Sequence, residues 1–594
     1  MPETSRHWAI EDAQALAATN LDALVDELLT RRGAAPPTTA WTYAVGEDEL
    51  RARVRELAER PETDVLPLRG VPFAVKDNID VADVPTTAGV RSFAYVAEES
   101  APVVQHLLDA GAIFAGKTNM DQFATGLVGV RSPDFGICAN PIDSAYIAGG
   151  SSSGSATVVA RGDVAFALGT DTAGSGRVPA ACCGVVGMKP SRGRLTTRGV
   201  VPAAWSLDCV SVFAPSCRDV ARVFGVVADR DPDDPYARAG TDFPAPAQWR
   251  IGVPRTLDWF GDNDAAVCYE AALDALDATG ATLVPFDFEP FHEAATLLYE
   301  SAIIAERYAA FGQFVAADPD AVDPSVRKIV LEAAGYDGPS AFRALDRLER
   351  VHAATKPLWR TIDAMFLPTI ARHPTIADAL AAPIATSREL GAYTNFVNPL
   401  DLAGIAVPAG RRASGLPFGV SFIGPAFADR ALLALASTYR DEVTPTFAPP
   451  STASQHLVAV AGAHLRGQPL NAQLRDLRGS FVAQTTTSFS YRLFDLRVTP
   501  PKPGLVRDTE RGRAIEVEVW ALDDAAFGRF VAGVRTPLGI GSLELADGTW
   551  VPGFVCEPYA LEHAREITDF GGWRAYLGSG NAEPAADDSA ATLP

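Results

Sequence analysis

Three short stretches place a lysine and a set of serines where they can carry out acyl transfer without a histidine. They are Val71-Pro-Phe-Ala-Val-Lys76-Asp-Asn, Gly149-Gly-Ser151-Ser152-Ser153-Gly154-Ser155, and Gly169-Thr-Asp171-Thr172-Ala173-Gly174-Ser175. A serine hydroxyl is a weak nucleophile until a base takes its proton, and a lysine serves only when burial and neighbours bring its pKa down from about 10.4. Between residues 70 and 180 the chain has a single histidine, His106, so the general base these serines point to is Lys76. Glycine is dense around both serines, which suits a backbone that turns tightly and approaches a reacting atom closely. A Gly/Ser run taken alone reads as a flexible loop. Its occurrence together with Lys76 and the Thr170 to Ser175 stretch is what points to catalysis.

Two strands must position these groups. Val71 to Val75 reads as a strand, which puts Lys76 at its C-terminal end, the edge where sites collect in open α/β sheets. Val164 to Gly169 reads as a second strand, delivering the third stretch. The same alternation recurs: helix at Val104 to Ala110, strand at Ile113 to Gly116, strand at Ile251 to Val253, and helices at Ala265 to Ala278 and Ala428 to Tyr439. Further strands are expected at Ala281 to Val284, Ala364 to Leu367, Gly404 to Val407 and Gly419 to Ile423. The fold class is therefore α/β, a large mixed β-sheet flanked by helices. Ile10 to about Leu57 reads as surface helices, and residues 293 to 360 as a mostly helical insertion over the sheet.

After position 443 a Pro- and Ser-rich stretch reads as a linker, 446–456. Leu457 to His464, Phe489 to Leu496, Ala514 to Leu522 and Gly553 to Glu557 then show short alternating strands. The expected domains are 1–445, with N-terminal helices and a catalytic core at about 60–215, and 457–580, followed by a flexible tail over 581–594.

The chain has 594 residues, 73 acidic and 51 basic, for a formal charge of -22. Such a surface repels nucleic acid and anionic lipid, and an anionic small substrate needs a local cation in the site. Seven scattered cysteines without a Cys-x-x-Cys pair suit reduced thiols in a cytoplasmic protein; adjacent Cys182 and Cys183 read as packing. The first twenty residues lack a secretory pattern, and no run is long and apolar enough to span a bilayer. The eight histidines never adopt a metal-ligand spacing, so no metal is expected. Glycines 149, 150 and 154 lack a following Gly-Lys-Ser/Thr, so no nucleotide site is expected there; no cofactor is expected elsewhere in the chain.

The three stretches resemble the amidase signature family, whose Ser-Ser-Lys triad hydrolyses amide bonds. Under that resemblance Lys76 is the family lysine, Ser151 the bridging serine and Ser175 the nucleophile, with a matching interval of 24 residues between the serines. Most members carry Gly where this chain has Ala173. Met120-Asp-Gln-Phe-Ala-Thr-Gly-Leu-Val-Gly-Val-Arg131 is similar to the allophanate hydrolase branch, which tolerates that alanine, and the C-terminal region agrees.

The resemblance implies that Ser175 attacks an amide carbonyl while Ser151 relays its proton to neutral Lys76. The backbone amides of Thr172, Ala173, Gly174 and Ser175 are expected around the oxyanion, and Asp171 as a structural carboxylate. Burial and donors such as Ser151 and Ser152 should outweigh the attraction of Asp77 for the lysine. Allophanate, urea bearing a carboxylate, needs a cation and polar groups. The branch places Tyr299 and Arg307 there, eight apart on one expected helix. Arg177 is a second candidate, Arg131 a weaker one, and Gly126 can present its carbonyl to the ureido nitrogens.

Residues 457 to 577 resemble the C-terminal domain of the same branch, a cyclotransferase-like α+β fold implicated in breaking down the carboxycarbamate product. His464 and Arg466 are its candidates, against a purely supporting role. The implied function is allophanate hydrolysis to ammonium and carbon dioxide or bicarbonate, the second step of ATP-dependent urea degradation. A separate urea carboxylase is the pathway partner and a homodimer the expected assembly. A carboxybiuret hydrolase and the glutaminase subunit of a tRNA-dependent amidotransferase are the alternatives.

Overall fold

The computed structural model describes residues 7–33, 39–60, 66–442, 456–477, 479–498, 501–522 and 524–580. Two compact units emerge, Met1–Phe447 and Ala448–Pro594. The expected linker over 446–456, apart from His456, and the tail over 581–594 lie outside the described residues.

The first unit is organised by an eleven-stranded mixed sheet. Pro72–Lys76 lies between Ile113–Thr118 and Phe166–Asp171 and is parallel to both, while Phe166–Asp171 pairs antiparallel with Cys209–Ala214 on its other side. All four of these strands are buried at every position. That is why Phe73-Ala-Val75 and Phe166-Ala-Leu168 run apolar without alternation, as strands covered on both faces do. Phe73 stacks on Phe166 at 5.3 Å between ring centroids and meets Phe114 edge-on at 6.0 Å. One aromatic core therefore ties together the strands that end in Lys76, Thr118 and Asp171. Each such ring contributes about 2 to 3 kcal/mol by burial.

Lys76 is the last residue of its strand, one position further than the apolar run suggests. The N-terminal region is not wholly helical. Between the helices Leu21–Gly33 and Glu47–Glu59 the strand Trp41–Ala44 pairs antiparallel with Ile113–Thr118. Residues 289–355 form the helical insertion, from Glu289–Glu300 through Gly338–Thr355.

The second unit holds a five-stranded sheet in which His456–Val460 pairs antiparallel with Glu516–Leu522 and parallel with Trp550–Cys556. A three-stranded sheet and short helices, Asn471–Asp476, Asp524–Ala532 and Trp573–Gly578, complete it. It is a small β-rich α+β unit with its own apolar core around Val458, Val517, Trp520 and Trp573. No helix among the described residues is long and apolar enough to cross a membrane.

Candidate active site

Lys76 is fully buried, and its Nζ donates to Ser151 Oγ at 2.8 Å and to Thr170 Oγ1 at 2.7 Å. Burial pushes the ammonium down to about 7, against the opposing attraction of Asp121, Asp208 and Asp171. Two details differ from the sequence reading. Among the described residues Ser152 makes no hydrogen bond to the lysine; its hydroxyl donates to the Thr170 carbonyl at 3.1 Å. Asp77 is turned away, bound to Thr87 and paired with the buried Lys117 at 3.4 Å.

Ser151 follows a turn that only glycine can make, because a Cβ on Gly150 would overlap Asp121 Oδ2 and the Gly129 amide. Directly after it the buried helix Ser153–Ala160 begins. Ser175 lies on the loop after Phe166–Asp171 and is 2% exposed. Among the described residues no hydrogen bond joins Ser151 to Ser175; the observed link is the one from Lys76 to Ser151.

Asp171 holds the nucleophile loop. It accepts from the Gly174 amide at 2.8 Å and the Gly176 amide at 3.0 Å, and from Arg177 at 2.9 and 3.0 Å. Arg177 also donates to the Thr394 carbonyl at 3.1 Å. This corrects two candidates. Arg177 is a fully buried anchor of the loop, its Nε and Nη2 forming a bidentate fork on the carboxylate while Nη1 has no partner. The Gly174 amide points at Asp171, which leaves those of Thr172, Ala173 and Ser175 for an oxyanion. Gly174 itself sits at φ +135, with Thr394 occupying the space a side chain would need. The Ala173 methyl packs with Ala204, Leu207 and Leu298, beside Tyr299 and Ile303.

That cluster brings the nucleophile loop to the helical insertion. Tyr299 and Arg307 do meet, the guanidinium lying 5.1 Å from the ring centroid and its Nη2 3.5 Å from the tyrosine hydroxyl. They are not on one helix, however. The chain breaks at Ser301, an extended residue whose hydroxyl caps the next turn by accepting from Ile303. Arg307 is fully buried with Nε and Nη1 unpartnered, and among the described residues it forms no ion pair. A π-helical turn, Tyr308–Gly312, follows it.

Gly126 lies on the loop between Asp121 and Arg131, and the space a side chain would take is filled by the Arg131 guanidinium. Arg131 donates to the carbonyls of Thr125 and Pro383 at 2.8 and 2.9 Å, which makes it a brace.

In the second unit a cavity of about 420 Å³ is lined by His464, Gln473, Lys502, Arg529, Arg535 and Phe554 among others. His464 stacks on Phe554 at 5.1 Å and bonds Gln473 Oε1 at 3.0 Å, and burial lowers its pKa. Arg466 stands outside that lining. Glu518 holds it at 3.1 Å and the Phe481 ring covers it at 3.6 Å.

Thr170 and Asp208 are site residues that sequence reasoning misses. Thr170 also accepts from Asn78 Nδ2 at 3.4 Å, and its only sequence signal is its place within the nucleophile stretch. Asp208 is reached from that stretch solely through the fold.

Two family models match the chain: Amidase over residues 23–433 and Allophanate hydrolase C-terminal domain over residues 456–578. Urea amidolyase of Saccharomyces cerevisiae is 40% identical over 611 aligned residues, which cover 97% of this chain and 33% of that protein. The chain thus spans about a third of the length of that relative. The structure of Kluyveromyces lactis allophanate hydrolase matches with a TM-score of 0.72 and 37% identity, over 97% of this chain and 100% of that one. A glutamyl-tRNA(Gln) amidotransferase subunit of Halobacterium salinarum is 36% identical over 405 residues, covering 62% of this chain and 95% of its own length.

Proposed function

From the premise that the chain belongs to the amidase family and carries an allophanate hydrolase C-terminal domain, we propose that it hydrolyses allophanate, urea-1-carboxylate. Neutral Lys76 accepts a proton from Ser151 as Ser151 takes one from Ser175, and Ser175 Oγ attacks the ureido carbonyl. The amides of Thr172, Ala173 and Ser175 receive the oxyanion, each donor contributing about 3 kcal/mol. Ammonia leaves with the returned proton, water resolves the acyl-enzyme, and the carboxycarbamate that departs decomposes to a second ammonia and carbon dioxide or bicarbonate.

The observation that carries this reading is Arg307. A fully buried guanidinium with two unpartnered nitrogens, held by Tyr299 where that ring packs beside the nucleophile loop, is costly unless a ligand completes it. A planar carboxylate is the complement its fork fits. Tyr299 steadies that fork, and the Gly126 carbonyl is assigned to the ureido nitrogens. The match to the amidotransferase protein stops at 62% of the chain, whereas the allophanate hydrolase match includes the second unit, which favours the same reading.

His464, with the cavity it lines, is the candidate for hastening breakdown of the carboxycarbamate. A carboxylase that makes the substrate from urea belongs upstream. A cytoplasmic setting accords with seven free cysteines, six of them buried, and a homodimer is the expected assembly, to be checked by light scattering. The substrate assignment is tested by comparing kcat/KM for allophanate with that for biuret, carboxybiuret, malonamate and glutamine; a preference for any of the last four overturns it.

A further inference from the structure

Asp208 is a buried carboxylate that the reaction just described does not use, and three parts of the fold converge on it. It immediately precedes the strand Cys209–Ala214. Its Oδ1 accepts from Thr172 Oγ1 at 2.5 Å, inside the loop that carries Ser175. Its Oδ2 accepts from the amides of Ala203 and Ala204 at 2.9 and 3.0 Å. Two cations act on this region and, among the described residues, neither forms an ion pair with Asp208. Arg307, from the helical insertion, attracts the Asp208 carboxylate, and Asp208 in turn is one of the three carboxylates, with Asp121 and Asp171, that favour the charged form of Lys76. Burial raises Asp208 itself to about 6, which leaves it ionised at neutral pH.

A hydroxyl donating to a carboxylate is a strong, charge-assisted bond. It fixes Thr172, the first of the three amides left for the oxyanion, relative to the strand behind it. The same negative charge lies in the field of the cation assigned to the substrate carboxylate. An anion arriving at Arg307 must therefore meet it against the repulsion of Asp208.

We infer that Asp208 is a positioning residue with two effects: it anchors the Thr172 end of the nucleophile loop, and it serves as the resident counter-charge for Lys76 and Arg307. The Arg307 half rests on the carboxylate reading given above. The loop-anchoring half does not.

Replacing Asp208 by Asn keeps the shape and removes the charge. Thr172 then loses its anionic acceptor, Lys76 loses one carboxylate that stabilises its proton, and Arg307 loses a competitor of the substrate. A merely structural residue would change none of these in a defined direction.

The test uses the full chain and two readouts. The first is sulfonylation of Ser175 by phenylmethanesulfonyl fluoride, a neutral reagent, followed by mass across about pH 5 to 9. In that step the Oγ–S bond forms as S–F breaks, fluoride leaves, and the serine proton passes through Ser151 to Lys76. The second is malonamate affinity on a Ser175→Ala background, where no turnover occurs.

For Asp208→Asn the expected plateau rate is lower by about tenfold, and the acid limb moves down by about one pH unit. Malonamate binds more tightly. Thr172→Val lowers the plateau as well, through loss of the same bond. An unchanged plateau in both variants overturns the anchoring role, and a limb that stays or moves up, or weaker malonamate binding, overturns the counter-charge role. If the Asn variant shows no cooperative thermal transition, the Thr172→Val plateau decides alone. If malonamate fails to bind the Ser175→Ala protein at all, the carboxylate reading of Arg307 fails while the sulfonylation rates still decide the position of Asp208.

Discussion

Lys76 Nζ and Ser151 Oγ stand 2.8 Å apart in a region closed to solvent, the one at a strand end and the other on the glycine turn that leads into the buried helix Ser153–Ala160. Burial, rather than any neighbouring cation, is what lowers the lysine's pKa, and three carboxylates only partly restore it. The chemistry therefore depends on keeping the amine dry.

The pH profile follows from that. Lys76 sits at about 7, so below that pH it holds its proton and cannot accept one from Ser151. The logarithm of kcat/KM should rise with slope near one up to about pH 7 and level off above it. A profile flat down to about pH 5 would contradict Lys76 as the base.

Thr170 shares the lysine with Ser151. Thr170→Val leaves the amine one oriented partner fewer, and kcat should fall by about tenfold or more with the fold retained. Stopped-time ammonia assays alongside circular dichroism separate this from unfolding.

Arg307 predicts opposite signs for function and stability. Arg307→Met removes the receptor for the substrate carboxylate, raising KM for allophanate by about 100-fold. The same change removes a buried cation two of whose nitrogens have no partner, so the melting temperature should hold or rise. A fall in melting temperature with KM unchanged would place Arg307 in a structural role instead.

For Asp171 and Arg177 the prediction is reversed. Asp171→Ala strands a fully buried guanidinium and should cost about 3 to 5 kcal/mol in urea denaturation. A loss below about 1 kcal/mol would leave Arg177 free for another partner.

The sequence exposes the parts of this site that local chemistry dictates. Lys76 ends an apolar run, Ser151 and Ser175 sit among glycines, and a burial-dependent base follows from residue types alone. The mixed α/β sheet is legible for the same reason, since buried strands such as Phe166 to Leu168 leave continuous apolar runs. What depends on pairing across the fold is not legible. Thr170 meets Lys76 because Val75 pairs with Leu168 in a parallel register, and no spacing in the chain encodes that register. The place of Gly174 beside the nucleophile suggests an amide facing the oxyanion, yet Asp171, three residues earlier, takes it first. Ser301 interrupts a stretch of otherwise helix-compatible residues, and its capping role appears only once Ile303 is seen to donate to it. The strand Leu538–Glu544, with two glycines and little alternation, gives no period to read.

The decisive measurement is the ammonia released from fresh allophanate by the wild-type chain and by Ser175→Ala. Release should approach two ammonia per allophanate, abolished in the variant and absent with urea. Substantial release by Ser175→Ala, or none from allophanate by the wild type, would exclude allophanate hydrolysis through Ser175.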